Sequence, residues 1–513
     1  MLCVALAGCF NPPVFEPQGG QPDAVGDGSV ADSATQPDTV AQPDGVGTPD
    51  GVTQPDTSTG NEDRRPYFRV GATYASAPFD ETGNAQLQAN LGFNATHRKY
   101  PIPLFVQWGY GSEASKVDGL VSAGMSDVAV YLIGAPDGET TAAAGASDES
   151  AIPTNLYEPI WLNAELCQIN PENTWANHVF QIMQEHKNRV DLWGVWVYPD
   201  GADASVQASW TTQVPAQGQL SNLKNGDIFS YVRMLRIVHE AKVCAAPETR
   251  VTPGILLTTT FLSAILRYTD QPGTGGVTPD YPKSGGAYID AVQYQYVPQG
   301  PSQSDPVADA LVQRVQSLRD TLSGSGLQDV PLYITGYGIP SDDTVSSPSG
   351  TAVAANGFIK SVLLGWAQGL WGLEWRYLTD GSSSGTRDPT MGMYAQDPAT
   401  PTAEPKAVGR SLQALVSAIG LDAKYERAAT EALSLPNNVK GVAFTKANGK
   451  KAMALWVNAV FDEDGAETVT VPTPGGGGSY TLWVGDNSSA PLQVTDGSLK
   501  VSITSSPSYV VED

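Results

Sequence analysis

From Tyr67 onward the chain alternates short β-branched or aromatic runs with longer helical stretches, and this alternation restricts the fold more than any other feature. Strand-like runs fall at Phe68–Tyr74, Asn94–Arg98, Asp127–Ile133, Leu192–Val197, Arg250–Leu256, Tyr288–Tyr296, Pro331–Tyr337 and Gly372–Leu378. Between them, helices are predicted at Glu113–Ala123, Asn173–Lys187, Ile228–Val243, Asp305–Leu322 and Ala352–Gln368. Eight such units fit a closed (β/α)8 TIM barrel better than an open sheet, which usually carries a Gly-rich phosphate loop after its first strand. None is present, and no cofactor is called for.

The pattern changes after about Ala423. Val442–Phe444, Ala452–Val457, Glu467–Val471, Tyr480–Val484, Leu492–Val494, Leu499–Ile503 and Tyr509–Val511 are short alternating runs split by turn residues. They predict a small C-terminal antiparallel β-sandwich, with Gly475–Gly478 as a hairpin connection. The expected division is residues 1–9, 10–65, 66–422 for the α/β barrel and 423–513 for the sandwich.

Ahead of the barrel, residues 10–63 contain no Lys or Arg, and QPD or TPD recurs at Gln21, Gln36, Gln42, Thr48 and Gln54. Such a segment cannot bury enough surface to offset its ordering entropy, so an extended, disordered tether is expected. Leu6-Ala7-Gly8-Cys9 at its head resembles a bacterial lipobox, which implies lipidation of Cys9 and export. No Lys or Arg precedes it, so the signal is expected to begin upstream of Met1. Cys167 and Cys244 are then the thiols of the folded body, a possible disulfide in an exported protein.

With 54 acidic residues against 29 basic ones, the net charge of −25 argues against nucleic acid and against electrostatic docking on anionic lipid. Membrane attachment is expected through the lipid anchor only, since no apolar run approaches twenty residues.

Two strand ends carry a resemblance. Asn188-Arg189-Val190-Asp191-Leu192-Trp193-Gly194-Val195-Trp196-Val197-Tyr198-Pro199-Asp200 resembles the fourth strand of clan-A glycoside hydrolases of the family 39 and family 5 kind, where Trp-Glu-x-Trp-Asn-Glu-Pro delivers the acid/base Glu. Pro331-Leu332-Tyr333-Ile334-Thr335-Gly336-Tyr337-Gly338 is similar to their seventh strand, which carries the nucleophile. Tyr288–Gln295 looks like strand six, Arg98 sits where strand two often ends in Arg, and Thr402–Leu415 with Pro405-Lys406 resembles the barrel-closing helix. The resemblance implies a glycosidase-like barrel and a glycan partner.

Retaining glycosidases need two carboxyl groups about 5–5.5 Å apart. By the resemblance, the acid/base position is Tyr198, the preceding Asn position is Val197, the nucleophile position is Gly336 and the strand-six His position is Gln295. A phenol with a pKa near 10 donates a proton poorly at neutral pH, and a glycine has nothing to donate. The fallback carboxylates are Asp200, otherwise a loop cap, and Glu374, otherwise an internal ion pair with Arg376 or Arg98. Glu374 reaches the barrel mouth if it and Arg376 face inward, and the helix layer if Trp375 does. Asp290, Asp380 and Glu165 are weaker candidates.

Aromatic residues at the strand ends offer sugar-stacking surfaces or simply core: Trp108, Tyr110, Trp161, Trp196, Tyr198, Tyr296, Tyr337 and Trp375. With Arg98, His97 and Gln295 they complete the carbohydrate-binding candidates. His178, His186 and His239 fall in predicted helices without metal-ligand spacing, so no metal is expected. No Gly-x-Ser-x-Gly elbow is present, and Thr258-Thr259-Thr260 and the serines near Ser346 and Ser382 read as solvated turns. The leading expectation is a lipid-anchored, glycosidase-like pseudoenzyme that binds carbohydrate. The alternatives are an active glycosidase with relocated carboxylates and a surface scaffold or adhesion protein.

Overall fold

The structure is a computed structural model that describes residues 67–513, apart from 75–80, 137, 141–151, 202–203, 211–219, 221, 224–225, 299–305, 342–349, 382–389, 397–399, 460–464, 475–477 and 485–487. The tether, the lipobox with Cys9, and Ser346 and Ser382 lie outside the described residues. No helix among the described residues is long and apolar enough to cross a membrane.

Eight parallel strands build the barrel: β1 (Arg69–Tyr74), β2 (Ala95–Pro101), β3 (Asp127–Ile133), β4 (Leu192–Val195), β5 (Arg250–Thr252, continued as Ile255–Leu256), β6 (Val292–Gln295), β7 (Leu332–Tyr337) and β8 (Gly372–Thr379). β1 pairs with β8, and the ladder runs through β7 and β6 to the second half of β5. The first half of β5 pairs with β4, and β4 leads through β3 to β2. Asn94 joins β2 back to β1: its amide donates to the Val70 carbonyl, while its side chain accepts from the Val70 amide and donates to the Phe68 carbonyl. The ring therefore closes. β3 is buried at every position, as expected of a strand covered on both faces.

The helices are α1 (Glu81–Asn90), α2 (Ile102–Trp108), α3 (Ala114–Ser122), α4 (Thr174–His186), α5 (Ala204–Ser209), α6 (Ile228–Ala245), α7 (Thr259–Arg267), α8 (Pro306–Ser323), α9 (Thr351–Ala367) and α10 (Ala407–Ala418). Each local departure from the sequence reading has a cause. Pro253-Gly254 interrupts β5. The expected strand Tyr288–Tyr296 begins instead with a 3-10 turn, Gly285–Tyr288, and pairs from Val292. β4 ends at Val195 because Trp196 and Tyr198 adopt left-handed backbone, with φ of 67° and 53°. Thr258 is not a solvated turn: its hydroxyl accepts from the Phe261 amide and caps α7.

Between β3 and α4 a hairpin pairs Trp161–Asn163 with Gln168–Ile169, and Cys167 at its turn is disulfide-bonded to Cys244 near the end of α6.

Beyond α10, a six-stranded sheet runs in the order Lys424–Tyr425, Val439–Thr445, Lys451–Val457, Ser508–Glu512, Tyr480–Trp483, Ser489–Leu492. A three-stranded sheet, Glu467–Pro472, Ser498–Ile503 and Val494–Thr495, packs against it. Gly475–Gly478 lies mostly outside the described residues. The strands flanking it belong to different sheets, so the connection crosses the sandwich rather than closing a hairpin. The central strands of the larger sheet are buried on both sides. Met453, Leu455 and Val510 meet Val469, Val471 and Val501, whereas Val442, Phe444, Trp456 and Tyr509 join the barrel core. Trp366 of α9 stacks at 5.0 Å on Phe68 and lies 4.9 Å from Phe444.

Candidate functional site

Strand alternation sends every second side chain into the barrel. The lowest layer, at the N-terminal ends of the strands, is a plug. The Arg69 guanidinium pairs with Asp127 and lies over the rings of Tyr333 and Trp371, and beside it Ala129, Leu192, Ala291 and Tyr333 form an apolar cluster.

The next layer is polar. His97 Nδ1 lies 3.1 Å from Glu374 Oε2, with both side chains almost wholly buried. The Tyr131 hydroxyl donates to Gln293 Oε1 at 2.9 Å, and its ring meets His97 edge-on at 5.3 Å. Tyr131 spans the interior because β4 offers a glycine opposite it: a Cβ on Gly194 would stand 2.1 Å from the Tyr131 ring.

Above this layer the C-terminal mouth holds a cavity of about 180 Å³. It is lined by Thr73, Tyr74, His97, Lys99, Tyr131, Val197, Tyr198 and Ile255. The hydroxyls of Tyr74 and Tyr198 are 2.8 Å apart. Burial and the neighbouring Tyr74 hold the Tyr198 phenol well above its ordinary value. Bulky residues with positive φ are uncommon and concentrate at functional sites. Tyr198 is one of these, and it lines the cavity.

His97 and Tyr198 of the predicted set thus meet in the cavity. Gly336 lies beside it, in a bulge of β7 with φ of 62°; its amide donates to Thr73 Oγ1, and a Cβ there would come 2.9 Å from Gln295 Cγ. Gln295 Oε1 is buried without a hydrogen-bond partner among the described residues.

The other binding candidates lie elsewhere, three of them for reasons of strand parity. Arg98 points out of β2 to Glu113. Tyr337 binds Ser361 and Gly357 of α9, and Trp375 packs on Phe358 and donates to the Met391 carbonyl, so both belong to the helix layer. Tyr296 lies beneath Arg314. Trp196 is buried and donates to the Asn222 carbonyl. Trp161 donates to Glu240, Tyr110 meets His178 on the barrel flank, and Trp108 is exposed.

The fallback carboxylates are similarly sorted. Asp200 is fully buried and accepts from the amides of Leu257 and Thr258, both at 2.7 Å, and from the Thr258 hydroxyl. It fastens the β4 loop to the start of α7, and burial lifts its carboxyl to about 6 despite these donors. Glu374 faces inward, the first of the two parities open to β8, but lies beneath His97. Asp290 pairs with Lys242 and accepts from the Val251 amide, Asp380 pairs with Lys406, and Glu165 is exposed in the hairpin turn.

Sequence reasoning passed over Thr73, Tyr74, Lys99, Tyr131 and Ile255. Lys99 was accessible to it: once His97 faces inward, alternation along β2 carries Lys99 to the same face.

No protein-family model matches the chain, and no curated protein does. Solved structures do. A family 39 glycoside hydrolase from the gut symbiont Bacteroides cellulosilyticus WH2 matches with a TM-score of 0.55 at 14% identity, covering 88% of this chain and 81% of that one. A family 30 endoxylanase from Clostridium papyrosolvens C71 matches at 0.52 and 12% identity, covering 88% and 96%. A conserved exported protein from Bacteroides fragilis matches at 0.50 and 10% identity, covering 88% and 99%. With its closed parallel ring, its mouth cavity and its trailing antiparallel sheets, the chain has the fold of the clan-A glycoside hydrolases.

Proposed function

We propose that this is an exported, lipid-anchored protein whose glycosidase-like barrel (66–422) binds carbohydrate without hydrolysing it, with a sandwich (423–513) behind it and a tether (10–65) and signal (1–9) ahead. The observation that carries the reading is the lining of the mouth cavity. Tyr74, Tyr131 and Tyr198 offer the rings and hydroxyls that sugars are held by, and the cavity has room for about one sugar ring. In place of a carboxylate pair stand Tyr198 and Gly336. Glu374, the nearby carboxylate, is engaged by His97. The exported structural neighbour and the Cys167–Cys244 disulfide support a location outside the reducing cytoplasm.

The test is direct. A panel of oligosaccharides titrated calorimetrically into the purified chain is expected to include a binder whose affinity falls at least tenfold in Tyr198→Ala, with no release of reducing ends on long incubation. Turnover that disappears in Glu374→Gln would replace this reading with a hydrolytic one. For the anchor, Cys9→Ser is expected to move the protein from the membrane fraction to the soluble fraction.

A further inference from the structure

We infer that Asn222 is a positioning residue of the mouth cavity, which from outside the lining holds Tyr198 in the backbone conformation that makes its ring a wall. This rests on the carbohydrate-binding reading and says how the site is kept in shape. Trp196 and Tyr198 both carry left-handed backbone, at φ of 67° and 53°, on either side of Val197. A Cβ makes that region unfavourable, and a bulky residue stays there only where its surroundings over-determine it.

The surroundings can be named. The Tyr198 amide donates to the Ile255 carbonyl at 3.1 Å, and two residues on, Asp200 accepts from the amides of Leu257 and Thr258. These ties run to β5 and the start of α7. Asn222, in the connection between α5 and α6, is bonded to both left-handed residues. Its backbone carbonyl accepts from the Trp196 indole at 2.9 Å, and its side-chain amide donates to the Tyr198 carbonyl, also at 2.9 Å. The Gly201 amide, which donates to the same carbonyl, lies farther off at 3.3 Å. At the other end of the residue the Tyr198 hydroxyl meets that of Tyr74, whose ring stacks on Tyr377 at 5.1 Å. Tyr198 is thus gripped at its carbonyl and at its hydroxyl, and Asn222, which does not line the cavity, supplies the first grip. A sugar that needs the wall in place binds in proportion to the fraction of molecules that have it. Loosening the carbonyl therefore lowers affinity without removing a contact.

Two measurements on the full chain read Tyr198 and the sugar separately. With carbon-13 at the tyrosine Cζ positions, the Tyr198 signal is assigned by its loss in Tyr198→Phe. In the wild type it should not titrate at the ordinary phenol value, because burial and Tyr74 hold the hydroxyl well above it. In Asn222→Ala it should titrate at about 10, as an unconstrained phenol does. Asn222→Asp, which keeps the size and removes the donor, should behave like the alanine variant. Tyr131 and Tyr231 are also buried and held high, and their signals should stay unchanged, which separates a local release from a loosened fold. Calorimetric titration of β-linked tetrasaccharides of glucose, xylose and mannose is expected to yield a binder whose affinity falls about five- to tenfold in Asn222→Ala, the equivalent of one hydrogen bond. Adding Asn222→Ala to Tyr198→Ala should cost nothing further. A Tyr198 signal that does not titrate in Asn222→Ala, or an unchanged affinity, overturns the inference and leaves carbohydrate binding standing. Release of Tyr131 and Tyr231 together with Tyr198 also overturns it, since Asn222 would then support the fold at large. If Tyr198 alone is released and no tetrasaccharide binds, the carbohydrate reading falls while the hold of Asn222 on Tyr198 stands.

Discussion

At Gly336 the backbone decides what the side chain can be. With φ of 62° and Gln295 pressed against the space where a Cβ would go, Gly336→Ala is expected to lower stability by about 1–2 kcal/mol in denaturant titrations. Gly336→Glu should do the same without producing a glycosidase, since the strand would have to straighten first. Asp200 makes a pH-dependent contribution. Its carboxyl titrates at about 6 when folded and near 3.9 when unfolded, so the folded protein binds more protons between these values and stability falls as pH rises through the window. The lost contribution is on the order of 3 kcal/mol. Melting temperatures measured from pH 4 to 6.5 should decline less steeply in Asp200→Asn; equal slopes would show that the buried carboxyl is already ionised at pH 4. At this scale the sequence carried His97 and Tyr198 to the site because both stand at ends of well-marked strands. It left β8 undecided, since Leu373-Glu374-Trp375-Arg376 has a bulky side chain on each face and either parity buries one. The hydrogen bond from Trp375 to Met391 belongs to a loop contact that no strand pattern encodes.

Among the elements, the short hairpin after β3 is tied to α6 covalently as well as by the Trp161–Glu240 hydrogen bond. Cys167 and Cys244 are separated by 77 residues, and releasing a loop of that length typically costs 2–5 kcal/mol. Cys244→Ser is therefore expected to lower the melting temperature by several degrees, and reductant should do the same to the wild-type chain but not to the variant. The eight strands were legible because each is a short run of β-branched or aromatic residues between helical stretches, clearest in the almost wholly apolar β3. α1, α2, α5 and α7 were not. α1 has little amphipathic character, α2 opens on Ile102-Pro103 directly from β2, and α7 hides its cap among three threonines. The end of β4 also escaped notice, because left-handed Trp196 and Tyr198 are held by contacts to Asn222 and Tyr74, both remote in sequence.

On the scale of the whole molecule, the six-stranded sheet is a wall shared by two cores, with Phe444 facing the barrel and Met453 facing the smaller sheet. Barrel and sandwich should consequently unfold in one calorimetric transition, and Phe444→Ala, which removes a buried ring from the shared wall, should cost about 3–5 kcal/mol and lower that transition as a whole. Two separate transitions would show that the wall couples little. The position of these strands was visible in their alternation, but their second buried face was not, because its partner is a helix some eighty residues earlier. The plug of Arg69, Asp127 and Tyr333 has a consequence of another kind. It closes the N-terminal end of the barrel, so whatever enters the mouth cavity has to leave by the same opening, and the two ends of the barrel cannot exchange solutes through its axis.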